Sequence, residues 1–187
     1  MEYIKAIEGY TPINEQEMQD KKVILKFIKQ FSNNVLLRDN EIAHITSSGF
    51  IMNKSLDKVL LVHHNIRNVW SWTGGHADGD EDLLHVAIKE AKEETGITDI
   101  KPLSNNIASI DILSVFGHIK NNKYVNSHLH LSIAYVLVAD ENNELRICTE
   151  ENSGVEWFPL DKFTSEYFSE RDLYLYRKLV SFARDHK

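Results

Sequence analysis

Residues 74–97 read GGHADGDEDLLHVAIKEAKEETGI, and this stretch decides the fold. Leu83, Leu84, Ala87, Ile88 and Ala91 recur at helical spacing, so one apolar stripe runs from about Asp82 to Glu94. Thr95-Gly96 supplies the stop, because glycine readily takes the left-handed conformation in which helices end. Beside the stripe, Glu90, Glu93 and Glu94 stand at i, i+3 and i+4, which groups three carboxylates on one edge of the helix at the border of the core. All three lie near the helix C-terminus, where the macrodipole is negative and each acid costs roughly 0.3–1 kcal/mol. An acidic cluster is ordinarily a solvated face, and Lys89 and Lys92 offset part of this one. The glycine-rich segment before the helix, WSWTGGHADGDED (residues 70–82), shifts the balance. Its backbone can approach a ligand closely and add a carbonyl to the carboxylates. Hard oxygen ligands grouped in this way suit Mg²⁺ or Mn²⁺, not zinc.

Outward from this stretch, Asn14 and Glu17 have capping-box spacing ahead of a helix predicted over 15–31. AHITSSGFIMN and KVLLVHH then read as a β-hairpin turning at Asn53-Lys54-Ser55. After the central helix, strands are predicted at Ile107–Ile119 and Tyr124–Ala139, joined across Lys120-Asn121-Asn122, with shorter ones near Leu145–Cys148 and Val155–Phe158. A last helix is expected from about Ser165 to Arg184, with Tyr167, Phe168, Leu173, Tyr176 and Leu179 among its packing residues. Helix, strands, helix, strands, helix in that order suits a single α/β unit with helices covering a mixed sheet.

The central segment resembles a known family. Gly75, Glu81 and then Lys89-Glu90-Ala91-Lys92-Glu93-Glu94-Thr95-Gly96-Ile97 are similar to the Nudix box, Gx5Ex7REUxEExGU with U a bulky aliphatic residue. Every fixed glycine and glutamate is in register. Lys89 replaces the usual arginine, which keeps the charge and loses the planar multi-donor fork; Ala91 is small for a U position. Trp72-Thr73-Gly74-Gly75 resembles the segment common before the box, and Glu156-Trp157-Phe158-Pro159-Leu160 resembles the closing strand and turn. The resemblance implies a Nudix-type α/β/α sandwich with a mixed β-sheet, plus N-terminal and C-terminal helices. It divides the chain into an N-terminal helical extension, 1–39, packed on a hydrolase domain, 40–187. It further implies a Mg²⁺- or Mn²⁺-dependent hydrolase that cleaves a phosphoanhydride bond of a nucleoside diphosphate linked to another group. By matching position, Glu90 and Glu94 are metal ligands, Glu93 is a further ligand or the base, and the Gly75 carbonyl completes the site. Glu81 braces the loop against Lys89, and Gly96 ends the helix. Many members add an acid from a later loop; here that is Glu151, a catalytic candidate beside Glu93, with Glu150 its neighbour and competitor. A Nudix-fold module that binds a nucleotide without cleaving it is the alternative. Isopentenyl diphosphate isomerase, which shares the fold, uses a cysteine upstream of the box, whereas Cys148 lies downstream. ADP-ribose hydrolases carry a marker proline about fifteen residues past the box's last glycine; that position is Asp111, and several nucleotide substrates stay open.

Of nine histidines, His128 and His130 alternate on a strand and therefore share a face. They are candidates to touch substrate phosphates, or to bind a transition metal if a third ligand converges; the ordinary reading is a sheet-face pair satisfied by its neighbours. His63 and His64 point to opposite faces. His76, inside the glycine-rich segment, is a candidate diphosphate ligand, and Trp70 a candidate stacking surface for a base or ribose. Trp72 and Trp157 are expected to anchor packing.

The chain has 187 residues with 42% hydrophobic composition, enough for a packed core. Lys and Arg number 21 against 28 Asp and Glu, a formal net charge of −7. Residues 78–99 hold eight acids and two lysines, so −6 of that charge lies on the glycine-rich segment and the helix. This balance argues against nucleic acid or an anionic membrane as partner, and it leaves a phosphate substrate dependent on a divalent cation. One cysteine excludes an internal disulfide framework, so a reducing cytoplasm is expected. No signal-peptide core or membrane span is read, and since Nudix proteins often pair as homodimers, the N-terminal helix is a candidate contact.

Overall fold

The structure is a computed structural model that describes residues 1–120 and 122–187. It opens with a helix that the sequence pattern does not single out, α1 (Glu2–Gly9), whose buried residues are only Tyr3 and Ile7, too short a stripe to read. α2 (Glu15–Phe31) follows, and Asn14 caps it by accepting the Glu17 N–H at 2.9 Å. The Glu17 carboxylate accepts from Ile13 N–H at 3.0 Å and then turns inward.

Among the described residues ten strands follow in chain order: β1 (Ala43–Asn53), β2 (Lys58–His64), β3 (Val69–Ser71), β4 (Thr73–His76), β5 (Lys101–Pro102), β6 (Ser109–Val115), β7 (His118–Lys120), β8 (Lys123–Val125), β9 (His128–Ala139) and β10 (Asn152–Pro159). The main sheet runs β10-β2-β1-β9-β5, with β3 on β2, β4 on β1 and β6 on β9. β1 and β9 are parallel over eleven register pairs from Ala43↔Leu129 to Asn53↔Ala139, and the other pairings are antiparallel, so the sheet is mixed. All eleven residues of β1 are buried, as a strand covered on both faces requires.

One face, through Ile45, Ile51, Ile133 and Leu137, packs on α2 and on α3 (Leu83–Thr95). The other, through Phe50, Met52, Leu61 and Val136, packs on α4 (Glu170–Asp185). This is an α/β/α sandwich. The layers are joined by a buried ionic cluster: Lys178 of α4 donates to Glu17 of α2 at 3.0 Å and to Asp111 of β6 at 2.5 Å. Ser109 donates to Glu17 at 3.1 Å and also reaches Asp111, and Tyr10 donates its hydroxyl to Glu17.

Several boundaries differ from the sequence reading. The glycine-rich segment is not all loop, because sheet hydrogen bonding to β2 and β1 draws its first half into β3 and β4. Leu145–Cys148 forms no strand: Arg146 N–H donates to Thr95 O at 2.8 Å, so this run crosses the end of α3. The two long strands break at Phe116-Gly117 and Asn126-Ser127, where Gly117 N–H donates to the Ser127 hydroxyl at 2.9 Å. Beyond the break, β7 and β8 pair only with each other, and the Asn121 part of the expected turn lies outside the described residues. α4 starts at Glu170, capped by Ser169, which leaves Tyr167 before the helix and exposed. No helix among the described residues is long and apolar enough to cross a membrane.

Candidate functional site

α3 is built as its sequence demands. Asp82 caps its start by accepting the His85 N–H at 2.9 Å, and Gly96 ends it at φ 76°, left-handed, donating to Lys92 O. Leu83, Val86, Ala87 and Ala91 face the sheet. There a side chain on Gly49 of β1 would stand only 3.3 Å from the Ala87 carbonyl oxygen. Helix and strand are this close, and Ala91 at the bulky position of the box is fully buried.

The edge of α3 lies directly on β4. Glu94, only 4% exposed, accepts the Gly74 N–H at 2.8 Å. A Cβ on Gly75 would fall 2.3 Å from the Glu90 carboxyl carbon, so the glycine admits that carboxylate against the backbone. Glu151 arrives from the turn before β10. Asn65 N–H donates to its carbonyl at 2.9 Å, and the adjacent Asn152 amide donates to Glu94 O at 2.9 Å, fastening the turn to the end of α3. Carboxylate oxygens of Glu90, Glu94 and Glu151 come within 4.8 Å of one another. Neither Glu150 nor Glu93 belongs to that set; Glu93 is exposed, 3.9 Å from Lys89. Lys89 also stands 3.6 Å from Glu90. No ion pair joins Lys89 to Glu81 among the described residues, so the expected brace is absent in that form.

Burial dominates the electrostatics. It pushes the Glu94 carboxyl up to about 8, against the opposing Gly74 N–H, with the neighbouring acids adding to the rise. Glu90 moves the same way for the same first cause, with Lys89 opposing. Such a cluster is costly without a cation. An ion with bonds of about 2.0–2.1 Å would draw the oxygens to about 3–4 Å, and an all-oxygen donor set fits Mg²⁺ or Mn²⁺. Because Gly75 has no Cβ to displace Glu90, Gly75→Ala is expected to keep the fold and cut turnover by about tenfold or more. Circular dichroism and initial rates measured together check this; a fully active variant would show that the close approach is dispensable.

The remaining sequence candidates lie elsewhere. Successive residues of a strand face opposite sides, so Gly75 points toward α3 and His76 away from it. His76, His128 and His130 gather on that far face with His44 into a group separate from the carboxylates. Burial pulls His76 down to about 3, helped by the positive Arg38, and His130 down to about 2, helped by His76 and His44. Trp70 lies against Phe158 at 4.9 Å between centroids and edge-on to His63 at 5.3 Å, so the ring is used in packing. Trp72 stands 6.0 Å from Tyr176, and Trp157 packs on the core on the α3 side. Sequence reasoning missed His44, and also Arg38, which grips Asp78 through two bonds of 2.7 and 2.6 Å. No local pattern marks either residue.

The profile of the NUDIX domain matches residues 43–179. Similar solved structures include a C. elegans Ap4A hydrolase in a binary complex, 19% identical, covering 75% of this chain and 98% of that one, with a TM-score of 0.51. A NUDIX-family hydrolase from Clostridium perfringens is 22% identical, with 77% and 98% covered and a TM-score of 0.51. The MutT protein from Methanosarcina mazei Go1 is 22% identical, with 79% and 98% covered and a TM-score of 0.51. At such identities the likeness is one of fold. No curated protein sequence matches the chain.

Proposed function

This chain belongs to the Nudix family, and from that membership we propose that it is a divalent-metal-dependent hydrolase that cleaves a phosphoanhydride bond of a nucleoside diphosphate linked to another group. The observation that carries the reading is the convergence of Glu90, Glu94 and Glu151 beside the bare backbone of Gly75. In this reading the three carboxylates and the Gly75 carbonyl hold Mg²⁺ or Mn²⁺, which when bound supplies neutralisation of the phosphate oxygens. Glu93, at the solvent edge of α3, orients the attacking water and accepts its proton as the new P–O bond forms and the anhydride oxygen leaves. Lys89 pairs with both Glu90 and Glu93 as a single point charge where an arginine fork would fix both. We further read residues 1–39 as an extension on a hydrolase domain of 40–187, and a cytoplasmic setting from the lone Cys148.

The test is a release assay on ADP-ribose, nucleoside triphosphates, dinucleoside polyphosphates and sugar nucleotides. Turnover of at least one, abolished by chelator and restored by Mg²⁺ or Mn²⁺, is expected. Tight binding with no turnover on any of them would replace the hydrolase by a nucleotide sensor, and turnover that survives chelation would remove the metal from the reading.

A further inference from the structure

Three strands deliver four imidazoles to one place. His44 and His130 are register partners on the parallel strands β1 and β9. His128 lies two residues before His130, on the same side, and His76 sits opposite Thr46 on β4, the residue two beyond His44. One ring nitrogen from each of the four comes within 4.8 Å of the others.

Hydrogen bonding sets which nitrogen each ring offers. The Asn40 carbonyl lies 3.0 Å from His44 Nδ1 and the Asn126 carbonyl 2.9 Å from His128 Nδ1. A carbonyl only accepts, so both Nδ1 atoms carry a proton, and in the neutral ring form that a metal binds each Nε2 presents its lone pair. His44 is 4% exposed, and its Nε2 has no hydrogen-bond partner. A buried acceptor without a donor is unfavourable unless something occupies it. Carbonyl-held rings with lone pairs turned inward are the arrangement by which proteins orient histidine toward a metal.

We propose that His44, His76, His128 and His130 form a second metal site, separate from the carboxylates, for a divalent transition ion of the zinc type held by four imidazole nitrogens. In a tetrahedron with Zn–N bonds of about 2.0–2.1 Å the nitrogens stand about 3.3–3.4 Å apart. The Nε2 atoms of His128 and His130 hydrogen-bond each other at 3.3 Å, a separation that a bound ion would use in place of that bond. Nitrogen donors select such ions over Mg²⁺, so the two sites sort their metals by ligand chemistry. Bound there, the ion ties β1, β9 and β4 together one residue from Gly75, and it steadies the strand on which Glu90 rests.

The experiment uses the full chain with Glu90→Gln and Glu94→Gln to silence the carboxylate site, stripped of metal and titrated with Co²⁺ against a background of excess Mg²⁺. One equivalent of Co²⁺ with the visible bands of a tetrahedral nitrogen site is expected, displaced by Zn²⁺ and lost when His128→Gln and His130→Gln are added. Absence of binding, or binding that survives the two histidine changes, would overturn the proposal. A readout that needs no substitution is the ring-nitrogen NMR of the wild-type chain on adding Zn²⁺. Resonances of the four histidines move while those of the other five stay; movement confined to the others would equally overturn it. Neither readout depends on hydrolysis, so failure here leaves the proposed activity intact, and the reverse holds.

Discussion

In the proposed hydrolase, Glu94→Gln is expected to lower turnover by about a thousandfold and, in chelator, to make the protein more resistant to heat. The loss corresponds to about 4 kcal/mol of transition-state stabilisation, within what a bound cation supplies. The gain follows from burial. Glutamine can still accept the Gly74 N–H with its carbonyl oxygen, whereas the buried carboxylate has no cation to meet it. The Glu94 carboxyl is pushed up to about 8 from an ordinary 4.5, so between those values the folded chain holds a proton that the unfolded chain has released. The contribution of Glu94 to stability therefore has its full value below about pH 4.5 and declines as pH rises toward 8. Wild type and variant should melt at similar temperatures at pH 5 in chelator and diverge by pH 8, with the variant higher. Equal melting curves at both pH values would show that Glu94 is not held in a desolvated site.

Lys178→Met is the most destabilising single change expected outside the candidate site. It leaves the Glu17 and Asp111 carboxylates buried, 0% and 2% exposed at the side chain, with their shared cation gone. Breaking a buried pair in this way costs about 3–5 kcal/mol, here a fall in Tm of roughly 6–20 °C for a chain of this length. The penalty comes from the stranded acids and not from the lost methylenes. Glu17→Gln and Asp111→Asn added to Lys178→Met should therefore recover most of it, as the hydroxyls of Ser109 and Tyr10 can still be used. Calorimetry of the single and triple variants measures both. A single variant within 1 kcal/mol of wild type would mean that the cluster is more hydrated than its burial indicates.

The same cluster explains a feature that the sequence left bare. Asp111, which takes the place of the marker proline considered by resemblance, is committed in this chain to Lys178. What could be read in advance was local: the apolar stripe and cap of α3, the glutamates on its edge, and the alternation that aligns His128 with His130. Whatever depends on chain segments far apart could not be read. His44 joins His130 only because β1 and β9 lie parallel, a pairing with no signature in spacing. Leu145–Cys148 has strand-like residues, but its backbone serves the end of α3. Glu151 is preferred to Glu150 in the sequence by resemblance alone, and its approach to Glu90 and Glu94 rests on a turn tied to Asn65 and on Asn152, both set by tertiary contacts.

The parallel pairing of β1 with β9 also governs when the fold can close. Ala43 meets Leu129, and every rung repeats that offset of 86 residues. During synthesis β1 emerges early and can hairpin with β2 and β4, while its other edge waits until the chain has been made through Ala139. Through that interval an apolar strand edge is open to any neighbouring chain, the exposure that invites misassembly. Closure of so long a loop makes folding slow compared with helical chains of equal stability. The centre of the sheet, buried on both faces in the finished molecule, thus cannot close until the chain has been made through Ala139, although its first strand is complete at Asn53.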